Sequence, residues 1–148
     1  QANAGNIGYH TISKYKRADF ICINEPEARL EVRDRDSNVS DITKIVAKRL
    51  SCEMICVTRG KNGCLIYVNG NATNVPAFTD KTIDRVGSGD AFLAITAPLM
   101  KNNVLPEVIG FIGNAVGALA VNTVGNKKSI NKDKLLSFIK VILDKSCV

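Results

Sequence analysis

The stretch Asp84-Arg85-Val86-Gly87-Ser88-Gly89-Asp90-Ala91-Phe92 leaves the chain few choices. Two glycines bracket a small hydroxyl residue, an acid follows at once, and an apolar run of helical character begins, so a tight turn must feed directly into a helix N-terminus. Backbone N–H groups of a first helical turn lack partners in any preceding turn, and the helix dipole adds partial positive charge there. Such a place favours an anion, phosphate above all. Glycine permits positive φ in the turn and lets the backbone come close to a phosphate, where a side chain would interfere. Asp90 stands where that phosphate would arrive; its plainer reading is a first-turn acid that complements the dipole.

The rest of the chain arranges itself around this turn. Residues 19–23 read as a short buried strand, and residues 25–33 as a charged helix entered through Pro26, which suits a first helical turn and keeps Glu25 extended. Val39, Ile42, Ile45, Val46 and Leu50 fall at helical spacing, with Asn38 as the cap. Residues 54–58 and 64–68 are strand-like, and Asn69-Gly70-Asn71 makes a hairpin turn before a further strand reaching Pro76. Residues 77–86 are the longest polar interruption and deliver the chain to the glycine turn. Helices fill the remainder, with Pro98 expected to kink the run that starts at Ala91. This order predicts an α/β architecture, a mostly parallel sheet with a β-hairpin, flanked by helices. Gly110, Gly113 and Gly117 sit in a helical run, where each costs about 1 kcal/mol relative to alanine. Something must come close to them: a neighbouring element, or a ligand ring beside Asn114.

Composition removes several function classes. At 148 residues, 45% hydrophobic and 23% charged, the chain is that of one ordinary domain. It has no run of about 18 apolar residues and no basic, apolar leader, so a cytoplasmic location and no membrane partner are expected. The opening Gln1-Ala2-Asn3, without Met, suggests an excised fragment. Five cysteines, odd in number and without CxxC spacing, support neither a disulfide framework nor a zinc site; Cys22, Cys56 and Cys64, inside apolar runs, are expected as buried free thiols. His10 is the single histidine, which argues against a histidine-based triad. The net charge of +6 is scattered and aromatics are few, so no nucleic-acid partner is expected. Lys127-Lys128 is the local pair that stands out, as a solvated surface or a phosphate-attracting patch.

The nine-residue stretch resembles the signature of the ribokinase (PfkB) family of carbohydrate kinases, whose usual form is Asp-Thr-Thr-Gly-Ala-Gly-Asp-Ala-Phe. Arg85 and Val86 replace the two threonines, and Ser88 replaces Ala. Three further elements follow in the family's order. Asn24-Glu25-Pro26-Glu27 resembles its Asn-x-x-Glu element, with helix capping by Asn24 as the competing reading. Thr58-Arg59-Gly60-Lys61-Asn62-Gly63 resembles its Thr-x-Gly-x-x-Gly nucleotide loop, and Asn114-Ala115 its adenine-lining segment.

The resemblance implies the C-terminal portion of a ribokinase-like three-layer sandwich. Residues 1–148 form one domain, the nucleotide-binding and catalytic half, without the N-terminal sugar-binding half and its lid. It implies ATP-dependent phosphotransfer to a hydroxyl of a sugar or sugar phosphate, with Asp90 as base and Gly87, Ser88 and Gly89 as the anion hole. Thr58, Gly60, Gly63 and Asn114 would hold the nucleotide, and Asn24 and Glu27 would hold Mg²⁺ through water. Carbonyls of Asp84, Ala120, Gly125 and Ser129 would hold a monovalent cation, K⁺. Expected as alternatives are a nucleotide-binding fragment without turnover, or the kinase domain of a bifunctional kinase/nucleotidyltransferase in nucleotide-sugar synthesis. The latter rests on the heptose-phosphate kinase character of residues 24–27 and 113–115. A homodimer and a fused nucleotidyltransferase domain are the macromolecular partners such a chain would have.

Overall fold

The computed structural model describes residues 9–78, 87–121 and 130–145. Four strands, β1 (Ile21–Asn24), β2 (Met54–Thr58), β3 (Cys64–Val68) and β4 (Asn71–Val75), make one sheet in that spatial order. Between β1 and β2 lie two helices, α1 (Glu25–Val32) and α2 (Val39–Leu50), which carry the chain back to the same end of the sheet. The two strands are therefore parallel, and Asn24 ends up opposite Thr58. The pairs β2–β3 and β3–β4 are antiparallel. The sheet is thus mixed, where the sequence reading expects it mostly parallel: a parallel crossover needs a dozen or more residues, and the connections at residues 59–63 and 69–70 are too short to make one. Asn69 and Gly70 both have positive φ, as a tight two-residue hairpin turn requires.

Local chemistry sets the helix ends. Asn24 Oδ1 accepts the N–H of Glu27 at 2.8 Å while Glu27 Oε2 accepts that of Asn24 at 3.2 Å, a complete capping box. The helix stops where Arg33 turns left-handed. Asn38 caps α2 through Ser40 N–H at 2.9 Å. Val39, Ile42, Val46 and Leu50 form the buried stripe of α2, but Ile45, placed in it by spacing alone, lies on its flank and is 41% exposed.

Alternation along the strands separates two cores. Ile55, Val57, Leu65 and Tyr67 pack toward α1 and α2. Cys56, Cys64 and Ile66 face α3 (Ser88–Lys101) and α4 (Pro106–Val121). A sheet buried on both faces needs apolar residues at consecutive positions, which is why β2 and β3 read as continuous apolar runs. Burying each large aliphatic side chain contributes about 1.5–3 kcal/mol. Pro98 sits inside α3, and the helix runs on to Lys101. The last helix, α5 (Lys132–Lys145), packs against α4. No helix among the described residues is long and apolar enough to cross a membrane.

Candidate functional site

The parallel strands β1 and β2 end side by side, and the segments leaving them open a cleft of about 690 Å³. Asn24 and Glu25 come from the β1 end, Thr58 to Lys61 from the β2 end, and Ser88 and Gly89 from the first turn of α3. Phe78, Gly117, Ala118 and Val121 add apolar lining, and the ring of Phe78 meets Phe111 edge-on at 4.9 Å between centroids. The lining combines polar, basic residues with apolar ones.

A second cleft, of about 380 Å³, lies along β1 and is bounded by the segment around His10 and Tyr15. Both clefts are lined by Asn24, Thr58 and Gly89, so they meet at the strand ends and the first turn of α3. Asp90 and Glu27 line the second cleft and not the first. Asp90 is exposed and joins no ion pair among the described residues.

The glycine turn has the form the sequence requires. Gly87 caps α3 at φ 79°, in the left-handed region. The first helical hydrogen bond runs from Ala91 N–H to Gly87 O at 3.0 Å, so the amides ahead of it have no partner within the helix. At Gly89 an added Cβ would meet no protein atom within 4 Å. Among the described residues nothing demands glycine there, and the residue lines both clefts.

Thr58, Gly60, Gly63 and Asn114 line the large cleft, with differing reasons for being there. Gly60 has φ 57° and open space around it. At Gly63, also left-handed, a Cβ would come within 2.7 Å of Ala77 N and overlap Val75 O, so its glycine character is required by the close approach of the β4 end. Asn114 is buried and its Nδ2 donates to Val75 O at 3.1 Å and Pro76 O at 2.8 Å, tethering the chain that carries Phe78. Gly117, one turn further along α4, faces open cleft. Asn24 and Glu27 each commit one oxygen to the capping box, and both line the second cleft. Amide and carboxylate oxygens are the ligand types that suit a hard cation and its water. Of the residues expected around a monovalent cation, Ala120 is buried in the last turn of α4, while Asp84, Gly125 and Ser129 lie outside the described residues, as do Lys127, Lys128 and Cys147. Among the described residues no group of three or more His, Cys, Asp or Glu side chains is placed to hold a metal ion.

Sequence reasoning missed a charged cluster on the cleft wall. Glu25 receives Arg29 Nε at 2.9 Å and Nη2 at 2.6 Å on one oxygen and Arg59 Nε at 3.0 Å on the other. Burial opposes ionisation of Glu25, but the hydrogen bonds from Arg29 and Arg59 outweigh it and hold the carboxyl below the usual glutamate range. The i, i+4 spacing of Glu25 and Arg29 was the available local signal. Cys22 and Cys64 carry the opposite shift: burial pushes each thiol up to about 12, so neither is a nucleophile near neutral pH. Cys22, Cys52, Cys56 and Cys64 are all free.

Known proteins resemble this chain in sequence and fold. The chain is 34% identical over 100 residues to inositol 3-kinase of Oryza sativa subsp. japonica, which covers 68% of the chain and 24% of that protein. It is 30% identical over 115 residues to bifunctional protein HldE of Bradyrhizobium diazoefficiens, covering 75% of the chain and 23% of the relative. The chain thus spans about a quarter of the length of these curated relatives. Phosphofructokinase-2 from Escherichia coli in complex with potassium superposes with a TM-score of 0.73 at 18% identity, over 86% of this chain and 42% of the other, which establishes the shared ribokinase-like fold. A model of the pfkB carbohydrate kinases matches residues 10–133, taking in both clefts and the glycine turn between them, and the chain accordingly belongs to the pfkB family of carbohydrate kinases.

Proposed function

We propose that this chain is the nucleotide-binding and catalytic part of a kinase that transfers the terminal phosphoryl group of ATP to a hydroxyl of a sugar or sugar phosphate. The observation that carries this reading is the meeting of two clefts at Gly89, Asn24 and Thr58, with Asp90 on only one side. In-line transfer needs a donor and an acceptor approaching one anion site from opposite directions. The large cleft suits the donor: its apolar lining takes a base, and its basic residues take phosphates. The smaller cleft suits the acceptor alcohol, with Asp90 beside it as the group that accepts the proton. A base in this role needs reach and a free carboxylate rather than a raised pKa, because the hydroxyl gives up its proton late in a loose transition state. The amides of Gly87, Ser88 and Gly89 stabilise charge on the migrating phosphoryl group. Asn24 and Glu27 would hold Mg²⁺ through water, where the ion neutralises phosphate charge. Likeness to kinases named for inositol and fructose supports a polyol hydroxyl as the acceptor. Likeness to a bifunctional protein favours a second reading, in which the kinase is one of two activities and nucleotidyl transfer the other.

The test is acceptor-dependent ADP release by the full-length enzyme over a panel of sugars, polyols and their phosphates. Asp90→Asn should lower kcat by about 10²–10⁴-fold and leave nucleotide affinity within a few-fold. Near-normal turnover in that variant would remove Asp90 as the base. Nucleotide binding by the wild type with no turnover on any acceptor would favour a binding fragment instead.

A further inference from the structure

Arg59 is the cation best prepared to meet the phosphates of a nucleotide in the large cleft. Its backbone is pinned, because its own N–H donates to Gly63 O at 2.8 Å and closes the turn after β2. Its side chain is gripped at two points: Nε donates to Glu25 at 3.0 Å, and Nη1 donates to Asn74 Oδ1 at 3.2 Å. A guanidinium has five N–H donors, so three remain, one on Nη1 and two on Nη2, with no hydrogen bond among the described residues. The residue lines the cleft next to Thr58 and is 23% exposed. Arg29, on the same wall, is spent by comparison: it bonds Glu25 through Nε and Nη2, and the carbonyls of Arg35 and Ser37 through Nη1 at 2.8 and 2.9 Å.

Charge favours the same residue. Glu25 is shared between two arginines, so the cluster keeps an excess positive charge, and Lys61 adds another from the same loop. A planar fork already held in place loses little freedom on binding and meets a phosphate through two parallel bonds. We propose that Arg59 contacts the polyphosphate of the bound nucleoside triphosphate, and that Glu25 and Asn74 aim it there. The inference rests on the kinase reading, since it takes the large cleft as the nucleotide's.

Calorimetry on the full-length enzyme with ADP, inorganic tripolyphosphate and adenosine separates the possibilities. Arg59→Ala should weaken ADP and tripolyphosphate about 10- to 100-fold and leave adenosine unchanged. Arg59→Lys, which keeps the charge but not the fork, should fall between. In turnover the loss should appear as a raised KM for ATP with kcat held within a few-fold, the pattern of a contact made equally in ground and transition states. Equal losses for adenosine and ADP, or wild-type ADP affinity in Arg59→Ala, would overturn the assignment while leaving the kinase reading intact. Failure of the wild type to bind ADP at millimolar concentration would overturn both.

Discussion

Gly113 and Gly117 lie one turn apart on α4, and a methyl group added to each meets opposite surroundings. At Gly113 the new Cβ would sit 2.5 Å from the ring of Phe92, a buried side chain that links α3 to the sheet. At Gly117 it would meet nothing within 4 Å. Gly113→Ala should therefore cost about 1–3 kcal/mol through overpacking, seen as a lower Tm. Gly117→Ala should hold stability or raise it by up to about 1 kcal/mol, since alanine is the better helix former. If the cleft beside Gly117 takes the base of a nucleotide, that variant should raise KM for ATP in spite of its stability. Unaltered KM together with a raised Tm would place the base elsewhere.

Two elements join structure to chemistry most directly. The N-terminus of α1 is closed by the capping box of Asn24 and Glu27, the same two residues expected near Mg²⁺. The capping role can be tested by itself through stability. Asn24→Ala should lose about 1 kcal/mol of stability, whereas Asn24→Asp, which still caps, should lose little. Thermal melts check this, and equal Tm for Asn24→Ala and the wild type would show that the cap contributes nothing. The strands hold the second case. Cys22 and Cys64 stay protonated in the native sheet up to about pH 12, while in the unfolded chain they ionise near the ordinary value of 9.0. Between those values the native state binds more protons than the unfolded state, so stability falls as pH rises through the window. Tm should drop between pH 8 and pH 10.5, and drop less in a Cys22→Ala, Cys64→Ala variant. Identical drops would assign the effect to other groups.

At the scale of the molecule, helices cover both faces of the sheet, and the strand ends collect residues distant in sequence around one pair of clefts. Much of this was determined by sequence alone, because it depends on neighbours within a few positions. The limits of β2 and β3, the turn at Asn69 and Gly70, the cap at Asn38 and the glycine turn into α3 follow from alternation, side-chain capping and φ preferences. Tertiary structure decided the rest. That Glu25 binds Arg59, that Asn114 tethers the end of β4, that Gly63 is required by Val75 and Ala77 and Gly117 by nothing among the described residues, and that Ile45 falls outside the stripe are all consequences of which segments approach one another. Such contacts bring together groups tens of residues apart, and their energies depend on distance and burial that no local spacing encodes. The same holds for the division between the two clefts: the nine-residue stretch specifies a glycine turn and an acid at a helix start, but only the packing of α3 beside β1 sets Asp90 in one cleft and the wall of Glu25 and Arg59 in the other.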